Sequence, residues 1–242
     1  FKDMLAALKN NKPFQLVIIS YFLGFGRQMA MGIQVQSATV ILGSQNLVAV
    51  LGIVTAVGSM ISMALCPLLI KKLNERNAYI LLSVYGFAAS IFSFAVGHFW
   101  FKNPESTVLT VLFYASLFLI GLQFGAVTLM PMIMTADTVD YYEYETGKRM
   151  EGACYSILTL TIKVCLALGT AVGLIFVQKS GYYEALSTGS FTTGTKDIIF
   201  FAYTALPGIL ALLSIVPMFK YDIVGEKKAN ISNALAARRS AE

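Results

Sequence analysis

Residues 153–178 read ACYSILTLTIKVCLALGTAVGLIFVQ, and this stretch decides the class of fold. A helix needs about 20 mainly apolar residues to cross the hydrocarbon core of a bilayer, and this stretch exceeds that length. Lys163, near its middle, is its only charged residue. An ammonium at that depth costs about 2.5–3.5 kcal/mol even on a lenient insertion scale, so such a residue indicates a functional role.

The rest of the chain has the same character. It is 57% hydrophobic and 13% charged, well below the roughly 25% of charged residues in soluble domains. Lipid offers no hydrogen-bond partners, so each apolar stretch should be a helix, and we expect an all-α membrane protein. We predict a cytoplasmic segment at 1–13, a six-helix bundle at 14–220 and a cytoplasmic tail at 221–242, with a short surface helix at 230–237. The predicted spans are 14–42, 47–70, 78–101, 107–134, 153–178 and 198–219.

The lysines and arginines predict the orientation of these spans. Thirteen of them fall on one side of the membrane, whereas the other side has only Lys102, Lys179 and Lys196. Positively charged loops stay in the cytoplasm, so both ends of this chain should be cytoplasmic, in a plasma membrane such as the bacterial inner membrane. The net charge of +5 then follows from topology and requires no nucleic acid partner.

A polar stripe follows the fifth predicted span. Ser156, Thr159, Lys163 and Thr170 are spaced by three, four and seven residues, which places them on one helical face. Each hydroxyl alone could merely bond a backbone carbonyl one turn back, but with Lys163 the stripe favours a wet cavity. All thirteen acidic residues fall in the predicted loops and tail. The counter-charge of Lys163 should therefore come from water, a ligand, an infolded loop or another part of the protein.

Other predicted spans carry weaker signals. On the first span Arg27 and Gln34 share a face, and a structural ion pair and a substrate role are equally compatible with Arg27. On the fourth span Gly121 and Gly125 form a GxxxG motif, which is typical of close helix packing. Gln123 lies between these glycines and is a candidate for reaching the cavity.

The loop between the fourth and fifth spans is strongly charged. Residues 136–152 read ADTVDYYEYETGKRMEG, with acidic residues at a helix end and basic residues after a glycine. This pattern fits either a solvated, salt-bridged loop or a charged clasp that forms and breaks. Exposed ion pairs contribute about 0–1 kcal/mol each, which suits a reversible gate. The gate candidates are Asp137, Asp140, Tyr141, Glu143, Lys148, Arg149 and Glu151.

This loop, with the Tyr155–Lys163 stretch after it, resembles the C-terminal half of the glycoside–pentoside–hexuronide:cation symporters. These belong to the major facilitator superfamily and include the melibiose permease. The resemblance implies two six-helix halves, a solute bound at the midplane between them, and alternating access. It places Lys163 at the cavity and Asp137, Asp140 and Arg149 in a cytoplasmic gate. Ligands of the coupling Na⁺ or H⁺ would lie in the N-terminal half, so we expect no cofactor or metal here.

The same residues leave the solute and some alternatives open. A glycoside or oligosaccharide is expected, although lysolipid carriers share the family and residues 34–39 lack the tyrosines common in relatives. A complete six-helix receptor or scaffold is the second hypothesis. An intramembrane enzyme is the weakest, because the chain has no HExxH motif and its single histidine, His98, is interfacial.

Overall fold

The computed structural model describes residues 8–240, and the secondary structure of these residues is entirely helical. A 3₁₀ turn at Gln45–Leu47 and a π-helical turn at Phe201–Ala205 accompany the α-helices. Four helical stretches within 8–240 are long and apolar enough to cross a membrane: Gln45–Lys102, Thr107–Thr146, Glu151–Lys179 and Thr193–Met218. The α-helices are α1 (Lys12–Leu23), α2 (Gly26–Gly32), α3 (Gln34–Leu42), α4 (Val48–Lys102), α5 (Thr107–Thr146), α6 (Glu151–Lys179), α7 (Tyr182–Thr188), α8 (Thr193–Phe200), α9 (Leu206–Leu213), α10 (Ile215–Met218) and α11 (Gly225–Ser240).

The first predicted span, 14–42, is divided into three short helices, α1 to α3. The breaks fall at Gly24 and at Ile33. Between them α2 packs closely on its neighbours: a Cβ built on Gly26 would lie 2.5 Å from the Cα of Pro207. Tertiary contacts therefore shape this segment, and hydropathy alone does not reveal the breaks.

The second and third predicted spans lie in α4, which is interrupted at Asn74. The backbone there has φ +65° and ψ 169°, outside the helical region. Before Asn74, later residues of α4 contact later residues of α5, so this segment runs parallel to α5. After Asn74, later residues of α4 contact earlier residues of α5, so this segment runs antiparallel to α5. The pairs are Thr55–Gly121 and Ser59–Gly125 before the break, and Tyr85–Leu119 and Ser93–Ser116 after it. The two segments of α4 therefore run antiparallel.

The GxxxG motif of α5 packs as its sequence predicts. A Cβ built on Gly121 would lie 2.3 Å from the carbonyl oxygen of Thr55, and one on Gly125 would lie 2.1 Å from that of Ser59. The Ser59 hydroxyl also donates to the Gly121 carbonyl at 3.0 Å. Close packing of α4 on α5 is thus confirmed.

Helix α5 extends beyond the membrane. Its 40 residues span about 60 Å at 1.5 Å per residue, whereas the hydrocarbon core is about 30 Å thick. Because its apolar part ends near Met134, the residues from Thr135 to Thr146 form a polar extension of the helix. Helix α11, longer than the predicted tail helix, packs on this extension with Ile231 and Leu235 buried, at 4% and 3% exposure.

Candidate solute groove and charge clusters

A groove opens along one face of α6, around Lys163. Ser156, Thr159 and Lys163, three residues of the predicted polar stripe, lie side by side in it with their side chains exposed. Gly152, Tyr155 and Leu160 complete its lining, and its volume is about 410 Å³. The groove thus exposes two hydroxyl groups and one ammonium group side by side.

Lys163 has no acidic partner in the described part of the chain. None of the ion pairs between residues 8 and 240 includes it. The same face of α6 exposes large apolar side chains, among them Leu160 and Val164. A polar groove flanked by apolar residues suits a surface that another part of a membrane protein covers.

Three other predicted cavity residues lie outside this groove. Thr170 is half-buried against α2, where a Cβ on Gly32 would lie 2.8 Å from its Cα. The amide nitrogen of Gln34 lies against Gly52 of α4, and the side chain of Gln123 packs on Gly86. These residues contribute to contacts between helices.

Arg27 lines a second, more enclosed cavity between α1, α2, α4, α5 and α9. Its Nη1 donates to the carbonyl oxygen of Phe124 at 3.4 Å. The cavity has a volume of about 30 Å³ and is also lined by Tyr21, Gln28 and Gln123. Neither Tyr21 nor Gln28 is among the cavity residues predicted from the sequence. The structure brings them to Arg27, away from the Lys163 groove.

Arg149 is the centre of an exposed charge cluster between the end of α5 and the start of α6. It donates to Asp140 at 3.1 Å, to Glu143 at 2.6 Å and to Glu151 at 3.0 Å. Burial acts to raise the pKa of Glu143, but hydrogen bonds from Arg149 and Arg239 outweigh it and lower that pKa. Four predicted gate residues therefore meet here, in pairs that are individually weak because water screens them.

The remaining gate candidates lie elsewhere. The Tyr141 ring lies under Lys227 of α11, whose Nζ is 5.1 Å from the ring centroid. Lys148 is exposed and takes part in no ion pair within the described range.

Asp137 belongs to a separate, more buried cluster. Lys228 of α11 lies 2.8 Å from Asp137 and 2.5 Å from Glu75, beside the Asn74 break. The acidic side chains are 10% and 6% exposed. Burial raises the pKa of Asp137 to about 6, and the hydrogen bond from Lys228 opposes this rise. No local sequence pattern indicates this cluster, because Lys228 follows Asp137 by 91 residues and Glu75 by 153 residues.

Four long apolar helical stretches within residues 8–240, with charged residues at their ends, indicate a multi-pass membrane protein. The model of the MFS/sugar transport protein family matches residues 1–225, so the chain belongs to this family. It is similar to the uncharacterized symporter YnaJ of Bacillus subtilis, with 24% identity over 98% of this chain and 49% of that protein.

Two further relatives have more specific names. A putative sulfoquinovose importer of Escherichia coli is 26% identical over 92% of this chain and 45% of its own length. An isoprimeverose transporter of Lactiplantibacillus pentosus is 28% identical over 75% of this chain and 36% of its own. The chain thus spans half the length of these relatives or less.

Proposed function

We propose that this chain is the C-terminal six-helix half of a cation-coupled sugar symporter. The open groove around Lys163 is the observation that carries the proposal. Membership of a sugar transport family and the chain's share of its relatives' length support it. In this proposal 1–13 and 221–242 are cytoplasmic, 14–220 is the bundle, and an N-terminal half covers the groove in a bacterial inner membrane.

The groove chemistry suits a sugar. The Ser156 and Thr159 hydroxyls can each donate and accept a hydrogen bond, and the Lys163 ammonium supplies three donors for sugar oxygens. A solute bound between two halves becomes accessible from either side as the halves rock. The coupling Na⁺ or H⁺ would be held by acidic residues outside this chain, close enough to interact with Lys163.

The Arg149 cluster suits a cytoplasmic gate. Its ion pairs are exposed, so they can break and re-form at small cost as the halves move. The cluster around Lys228 is more buried and ties α4, α5 and α11 together. We therefore assign the moving part of the gate to Arg149, Asp140 and Glu143, and a positioning role to Asp137.

Gradient-driven uptake by the complete transporter in proteoliposomes tests the proposal. Lys163→Ala should reduce sugar uptake at least tenfold under either a Na⁺ or a proton gradient. Lys179→Ala at the end of the same helix is the matched control and should retain uptake. Undiminished uptake by the Lys163 variant would contradict the assigned role. An absence of sugar uptake in the unmodified protein, with lysolipid transport in its place, would redirect the solute assignment.

A further inference from the structure

The guanidinium of Arg27 is largely without protein partners. The one hydrogen bond that it makes to residues 8–240 goes to the carbonyl oxygen of Phe124, at 3.4 Å, although a guanidinium has five donors. No ion pair found within residues 8–240 includes Arg27. The residue lies at the middle of the first predicted span, so a positive charge stands near mid-membrane without a neighbouring carboxylate from the described residues.

The cavity beside Arg27 is rich in donors. Its walls come from helices of this chain, and no acidic side chain lines it. The amide of Gln28 donates to the Tyr21 hydroxyl, which leaves the proton of that hydroxyl free, and the amide oxygen is buried without a partner. If the amide is turned by 180°, its nitrogen is free instead. Both residues line the cavity, and the unpaired donor is the Tyr21 hydroxyl in the first orientation and the Gln28 amide in the second.

We propose that Arg27, Tyr21 and Gln28 form a binding site for a small anionic group. The cavity volume of about 30 Å³ has room for about two water molecules. A single halide ion has a volume of the same order. Water would satisfy the donors but would not neutralise the charge. The anion is either a free halide or an acidic group of the transported solute. The free-halide form does not depend on the proposed sugar transport.

Thermal unfolding of the complete transporter in detergent tests the site without a transport assay. The Tm should rise with sodium chloride and then saturate, and the rise should be about 5 °C at a chloride concentration a hundredfold above Kd. If the site takes a free halide, sodium gluconate at the same concentration should not raise the Tm, because the whole gluconate anion exceeds the cavity. Arg27→Gln should abolish the chloride-specific rise. Tyr21→Phe keeps the charge and should weaken chloride binding about tenfold, whereas Lys179→Gln should behave as the unmodified protein.

Uptake kinetics distinguish the two sources of the anion. If an acidic group of the solute occupies the site, Arg27→Gln should raise the KM for an acidic sugar and leave the KM for its neutral analogue unchanged. In the unmodified protein, chloride should then compete with the acidic sugar and raise its KM. If a free halide occupies it, chloride should not raise that KM. Equal Tm in chloride and gluconate, together with unchanged KM in Arg27→Gln, would overturn the proposal and leave the cavity to water. Failure to transport any sugar would contradict the proposed function. The Tm comparison would still show whether the site binds a halide.

Discussion

Replacing Lys228 with alanine should loosen α11 and destabilise the end of the bundle that carries Glu75 and Asp137. Lys228 is the cation shared by Glu75 and Asp137, whose side chains are almost fully buried. Removing one partner of a buried ion pair costs about 3–5 kcal/mol, because a buried charge is left uncompensated. Lys228 itself is 36% exposed, so water screens part of this energy and we expect about 2 kcal/mol.

The neighbouring residue provides a matched control. Lys227 lies on the same helix and pairs with Asp222 at 2.5 Å, but these two side chains are 41% and 60% exposed. Lys227→Ala should therefore cost less than about 1 kcal/mol. Adding Asp137→Asn to Lys228→Ala should recover part of the lost stability, because it removes one of the two uncompensated acids.

Two measurements report on this change. Thermal unfolding in detergent should show a Tm about 4 °C lower for Lys228→Ala than for the unmodified protein. A cysteine placed at Leu235, which is buried, should react with a maleimide faster when Lys228 is absent. If Lys228→Ala and Lys227→Ala are indistinguishable in both measurements, Lys228 does not stabilise the buried acids and the reasoning is refuted.

Three further predictions concern the cytoplasmic end and the packing of α4 on α5. Because burial raises the pKa of Asp137 from 3.8 to about 6, the folded protein binds this proton more tightly than the unfolded chain does. The free energy of unfolding should thus fall by up to about 3 kcal/mol as pH rises from 4 to 7, and Asp137→Asn should lose this slope in thermal unfolding. Gly125→Ala should cost about 1–3 kcal/mol in the same assay, since its Cβ would meet the Ser59 carbonyl at 2.1 Å, whereas Gly152→Ala enters open space and should be neutral. Arg149→Gln should cost less than about 1 kcal/mol yet increase maleimide labelling of cytoplasmic cysteines, and unchanged labelling would argue against a gate there.

The local parts of the site could be predicted from the sequence. Ser156, Thr159 and Lys163 lie on one helix, so their spacing alone places them on one face. The GxxxG motif likewise indicates close packing without any knowledge of the partner helix. Helix type and apolar character followed from composition, because lipid leaves the backbone few alternatives.

The non-local parts could not be predicted. The breaks in 14–42 flank α2, where Gly26 packs against Pro207, a residue far along the chain, and hydropathy contains no trace of that contact. Asp137 shares a loop motif with Arg149, so the sequence suggested one charge network. The structure divides it in two, because α11 brings Lys228 to Asp137 from outside the motif.

The late position of Lys228 in the chain has a consequence for biogenesis. Lys228 follows Glu75 by 153 residues, which at roughly 5–20 residues per second is a delay of about 8–30 s during translation. Throughout that interval Glu75 has no access to the cation that later neutralises it. The parts of α4 and α5 around Glu75 and Asp137 should therefore stay hydrated and open until α11 emerges, and docking of α11 becomes a late assembly step. Nascent chains arrested before α11 should consequently be the form most readily recognised by membrane quality-control proteases.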